Sequence, residues 1–167
     1  MELGKKKKGV TLIELVIALG LLSIVSTFIF SFFFINNKKL DEVSIKADLQ
    51  YEAKVAMDTI SKYAMDATSV KVDNETSPGK ITFSLIDESG AKIEDGAVFN
   101  INKPEITLEV KAKGGSVILS KIICSNLNTI KVSVNESKNI YVNLMLEKKD
   151  ISYSVEESFL LRNIHLK

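Results

Sequence analysis

The sequence predicts an α+β fold: a long amino-terminal α-helix, its first half transmembrane, packed on a carboxyl-terminal antiparallel β-sheet. Three observations lead there. From Val10 to Ile35 the chain reads VTLIELVIALGLLSIVSTFIFSFFFI, with Glu14 as the only ionisable side chain. From Asn36 to Val70 it becomes polar yet contains no glycine or proline. Beyond Pro78 it alternates β-rich segments with turn residues. The boundaries that follow are 1–9 for a basic leader, 10–35 for the membrane helix, 36–76 for the soluble half of the helix and its connection, and 77–167 for the sheet domain.

As a helix, the apolar run is about 39 Å long at roughly 1.5 Å per residue, enough to cross a hydrocarbon core of about 30 Å. Lys5, Lys6, Lys7 and Lys8 precede it, whereas Lys38 and Lys39 beyond it are offset by Asp41 and Glu42. That asymmetry puts the amino terminus in the cytoplasm and exports the rest, as a single-pass protein of the cytoplasmic membrane. The run is too long for a secretory signal peptide, and its distal end, STFIFSFFFI, lacks a small-x-small cleavage site. The segment is therefore either an uncleaved signal anchor or is cut on its near side, between Gly9 and Val10.

The second region carries apolar or small residues at Ile45, Leu49, Ala53, Ala56, Ile60, Tyr63, Ala67 and Val70, at alternating spacings of four and three. One helix from Val10 to about Ser69 accounts for both regions. Its narrow, alanine-rich stripe suits close approach of a sheet or another helix.

In the third region the strand candidates are 80–86, 97–101, 105–112, 116–124, 129–134, 139–147 and 151–162. Asp87 to Gly90, Asp95-Gly96, Gly114-Gly115 and Asn135 to Ser137 punctuate them. Ile106, Leu108 and Val110 alternate with Thr107, Glu109 and Lys111, so one face of the sheet is solvated. Cys124 is the sole cysteine, which excludes an internal disulfide, and within SKIIC it reads as a small buried hydrophobe.

KKKKGVTLIELVIALGLLSIV, residues 5–25, resembles the amino terminus of type IV prepilins and pseudopilins. The resemblance implies a pilin-like fold and cleavage after Gly9 by a prepilin peptidase, with methylation of the new amino group on Val10. The family usually has phenylalanine where this chain has Val10. A residue without Cβ lets the backbone enter a narrow protease site, a local reason for Gly9. A second, weaker likeness runs over residues 45–163, through Ala47 to Gln50, Ala56 to Ile60, Ile81 to Phe83 and the closing Leu160-Leu161-Arg162-Asn163; these are similar to the PilW/PulJ group of minor pilins.

A carboxylate at a bilayer centre costs about 2.5–3.5 kcal/mol on insertion scales, and less near the edge where Glu14 sits. Val10 and Glu14 lie four residues apart and share a helix face. The resemblance implies that the glutamate of one subunit meets the amino terminus of its neighbour, so that assembly rather than insertion uses Glu14. The plainer alternative is a carboxylate that snorkels to the interface. Other pilins contacted through the amino-terminal helix, an assembly platform protein, an ATPase and membrane lipid are the partners implied. The product would be a type IV pilus or a type II secretion-like pseudopilus, reaching the cell surface.

No enzyme chemistry is expected. His165 is the only histidine, so neither a histidine-based triad nor a histidine metal site has companions. No nucleotide-binding glycine loop or calcium-loop spacing occurs, and no cofactor or metal is predicted. Removal of residues 1–9 takes away four lysines and Glu2, leaving 18 basic and 20 acidic residues and a formal net charge of −2. That balance gives no clear nucleic-acid site. The rival reading is a signal-anchored exported binding or adhesin domain that is not processed as a pilin.

Overall fold

The computed structural model describes residues 9–74, 77–135 and 139–161. The leader lysines Lys5 to Lys8, Glu75 and Thr76, Glu136 and Ser137, and Arg162, Asn163 and His165 lie outside the described residues. The chain divides into two units, Met1–Val43 and Ser44–Lys167. Helix α1, Leu12–Asp66, contributes to both.

In the first unit α1 is apolar and exposed. By length and composition it can cross a membrane. Its hydroxyl groups are satisfied within the helix: Ser23 donates to the Leu19 carbonyl at 2.8 Å, Thr27 to Ser23 at 2.9 Å and Ser31 to Thr27 at 2.9 Å. Back-bonding of this kind removes the cost of carrying a bare hydroxyl through hydrocarbon.

In the second unit, α1 from Ser44 onward packs on antiparallel sheets through Leu49, Ala53, Ala56, Met57, Ile60 and Ala64. Leu49, Ala53, Ala56 and Ile60 belong to the expected stripe. Met57 and Ala64 widen it, because a face packed on a sheet spans more than a single file of residues. The expected helix end at Ser69 is corrected to Asp66. Ala67 and Thr68 leave the helix, and Ser69–Val72 forms a short strand, β1. The helical spacing of Ala67 and Val70 also fits SVKV as an edge strand, and pairing of Val70 with Phe83 decides it.

Seven further strands follow: β2 (Lys80–Ile86), β3 (Lys92–Asn102), β4 (Glu105–Lys111), β5 (Val117–Cys124), β6 (Leu127–Val134), β7 (Asn139–Lys148) and β8 (Ile151–Leu160). All pairings are antiparallel, as expected. The strands form two sheets rather than one: β1-β2-β3-β4-β5 and β6-β7-β8. The break falls at Ser125 and Asn126, where Glu52 of α1 takes the backbone N–H of both residues and the Asn126 side-chain amide. One carboxylate on the helix thus fixes the chain where it passes between sheets.

Turn chemistry sets the remaining connections. Asp73 accepts the Gly79 N–H at 3.0 Å and closes the loop before β2. Lys149 and Asp150 both have positive φ, 50° and 64°, in the two-residue connection of β7 to β8. Such primed turns match the right-handed twist of a hairpin. The core joins the helix stripe to Phe83, Phe99, Ile106, Val132, Ile140, Leu144 and Leu146. In β4, Ile106 and Leu108 are buried between half-buried Thr107 and Glu109, the expected alternation, whereas Val110 is half-buried like Lys111.

Candidate functional site at the amino-terminal segment

The segment that sequence reasoning singles out begins at Gly9, which precedes the helix and is exposed. A Cβ added there would meet nothing within 4 Å, so no packing demand explains the glycine. Val10 is exposed too, at 77%. Among the described residues, the peptide bond between Gly9 and Val10 is thus sterically open.

Two residues on, Thr11 caps the helix. Its backbone N–H donates to Glu14 Oε2 at 2.8 Å, and its hydroxyl donates to the same oxygen at 2.8 Å. The Glu14 N–H in turn points at Thr11 Oγ1, 3.4 Å away. This is a capping box, Thr-x-x-Glu, which satisfies backbone donors that the first turn would otherwise leave bare. The carboxylate also sits at the positive end of the helix dipole. Leu12 is the first helical residue because Thr11 is the cap.

The structure brings Gly9, Val10 and Glu14 into one short segment, and it adds Thr11. Sequence reasoning assigned Glu14 a partner in the amine of Val10 and overlooked Thr11. The missed signal was available: threonine followed three residues later by glutamate, directly before an apolar run, marks a helix start. In the intact chain Glu14 is held by its own helix terminus, so its carboxylate is already oriented at the boundary where cleavage would create an amine.

Elsewhere the surface offers little chemistry. Among the described residues no group of three His, Cys, Asp or Glu side chains could hold a metal ion. Cys124 is buried, and burial pushes its thiol up to about 12. A thiol that remains protonated is a poor nucleophile. Iodoacetamide at pH 8 should therefore leave Cys124 unmodified in the folded chain and alkylate it quickly in urea. Rapid labelling of the folded chain would contradict its burial.

No curated protein and no solved structure matches the chain. Residues 4–30 match the family model described as the prokaryotic N-terminal methylation motif. That match covers Gly9, Val10 and the first part of α1, and a motif of this kind implies processing by a prepilin peptidase and association with other pilins. Residues 4–30 thus carry a type IV prepilin-like motif, and it stands at the head of an exposed apolar helix in an α+β, pilin-like fold.

Proposed function

We propose that this chain is a minor pilin or pseudopilin, a non-enzymatic subunit held in the cytoplasmic membrane with its amino terminus inside, then packed into or at the tip of a filament. The observation that carries the reading is the motif at residues 4–30, with an accessible Gly9-Val10 bond at the mouth of an apolar helix. In this reading residues 1–9 are the leader, residues 10–35 the assembly helix, and residues 77–167 most of the exported domain. Cleavage after Gly9 frees the amine of Val10, which is then methylated. Glu14 of one subunit neutralises the amine of the next, a pairing that a low-dielectric helix bundle rewards and an unpaired charge there penalises. Helices in lipid associate by packing and internal polar pairs rather than by exclusion from water. Extraction from the membrane requires energy from elsewhere, hence an assembly platform and an ATPase as partners.

The deciding experiment is the intact mass and amino-terminal sequence of the membrane-extracted protein, made with and without a prepilin peptidase. The expected product begins at Val10 and carries one added methyl only when the peptidase is present. Gly9→Val should abolish the cut while leaving the fold unchanged, since nothing lies near the added side chain. A chain that keeps residues before Gly9 under both conditions would favour the signal-anchored alternative.

A further inference from the structure

Strand β5 has the composition of an interior strand and the position of an edge strand. VILSKIIC is apolar on both faces, a pattern typical of strands covered from both sides. Yet β5 pairs with β4 alone and ends its sheet. Val117, Ile118, Leu119 and Ile122 are exposed at 52%, 69%, 45% and 49%. An edge of this kind presents unpaired N–H and C=O groups and is a template for another strand. Its only charged side chain is Lys121.

The three-stranded sheet ends in the opposite character. Strand β8, ISYSVEESFL, pairs with β7 alone and carries Glu156 and Glu157 with no basic residue. Beside this edge Leu160 is 55% exposed and Tyr141, on the same face of β7, 39% exposed. Neither Lys121 nor Glu157 has an ion-pair partner among the described residues.

The two edges flank opposite sides of α1. Tyr51, Val55 and Thr59 line grooves with β5, Gln50 and Lys54 line a groove with Tyr153, Val155 and Glu157 of β8, and Asp58 borders both sides. At about 100° per residue, these helix positions lie on either side of the buried stripe of Leu49, Ala53, Ala56 and Ile60. One domain therefore offers a basic, apolar edge on one side and an acidic edge on the other. On the strands themselves the two edges are complementary between copies, while the helix sets Asp58 in the groove of Lys121 and Lys54 in the groove of Glu157.

We propose that the β5 edge pairs with the β8 edge of a second copy of this chain. Lys121, on the same side of its sheet as Leu108, would meet Glu157, which also faces the helix side of its own sheet. Ile122, on the other side with Thr107, would meet the exposed Leu160 and Tyr141. Different patches join, so the contact is heterologous, and repetition gives a ring or an open helical array rather than a closed dimer. It is an ectodomain contact, separate from packing of the membrane helices, and it does not depend on cleavage at Gly9.

The test uses the full chain, purified in mild detergent as unlabelled and nitrogen-15-labelled copies, mixed and reconstituted into vesicles. A water-soluble carbodiimide then joins a lysine amine to a carboxylate it touches, taking up the water lost as the amide forms. The expected product is a mixed-isotope peptide linking Lys121 to Glu157 or Glu156. Lys121→Glu removes the amine and should abolish it, whereas Ile122→Asp, which leaves the amine and both carboxylates in place, should reduce it roughly tenfold because a charge would be set against Leu160 and Tyr141. Leu160→Asp, which also leaves Lys121, Glu156 and Glu157 in place, should give the same loss without touching β5, so damage to that strand cannot imitate the result. Lys121→Glu combined with Glu156→Lys and Glu157→Lys should restore an inter-copy link. Coupling of Lys121 only within one copy, coupling to a carboxylate outside β8, or no inter-copy product would overturn the proposal. Amino-terminal mass measured in cells that contain the peptidase reports processing separately, so the two readings fail independently.

Discussion

Glu14→Gln is expected to start α1 at the same residue, insert into the membrane normally and fail to enter filaments. One carboxylate can do two jobs here. As the N3 member of a capping box it accepts from the Thr11 N–H and hydroxyl, and glutamine can perform that task as well. As the counter-charge to a neighbouring amine it must be ionised, which glutamine cannot be. Glu14→Ala removes both functions and should also loosen the first turn, at a cost of roughly 0.5–2 kcal/mol. Membrane fractionation reads insertion, and sheared-filament yield reads incorporation. If Glu14→Gln enters filaments as well as the parent while Glu14→Ala does not, Glu14 is a helix cap and the assembly pairing is wrong.

The largest stability loss is expected from Phe99→Ala. Phe99 is fully buried in β3 and stands edge-on to two rings, Phe83 at 5.6 Å and Tyr63 at 6.0 Å between centroids. It thus ties the helix to the five-stranded sheet at one point. Truncating a buried phenylalanine costs about 3–5 kcal/mol in lost transfer energy and cavity. A typical domain has only about 5–15 kcal/mol in total. Urea unfolding of the full chain in mild detergent, followed by tyrosine fluorescence, should show a lower midpoint with an unchanged slope. A loss below about 1 kcal/mol would mean that the neighbouring rings collapse into the gap.

Local chemistry was legible in the sequence wherever a short window settles the conformation. The apolar run from Val10 announces a membrane helix, and residues 80–86 were placed as a strand at the bounds the structure shows. The buried file of Leu49, Ala53, Ala56 and Ile60 followed from helical periodicity. The cap at Thr11 was equally local, and only the pairing with Glu14 went unread. Ser69–Val72 failed for a different reason: four residues fit either period, and only β2 beside them makes a strand the better choice.

The order of residues alone therefore specifies the set of elements and the segment that matters: a lipid-length helix, a glycine before it, a carboxylate inside it, and an antiparallel β domain after it. Tertiary structure alone decided how the strands divide into two sheets, that Glu52 holds the crossing at Ser125 and Asn126, and which strands are left at the edges. Strand β5 shows why. Its side-chain pattern is that of a strand covered on both faces, but which layer packs on it and which strand pairs beside it depend on contacts between residues far apart in the chain, and periodicity carries no record of either.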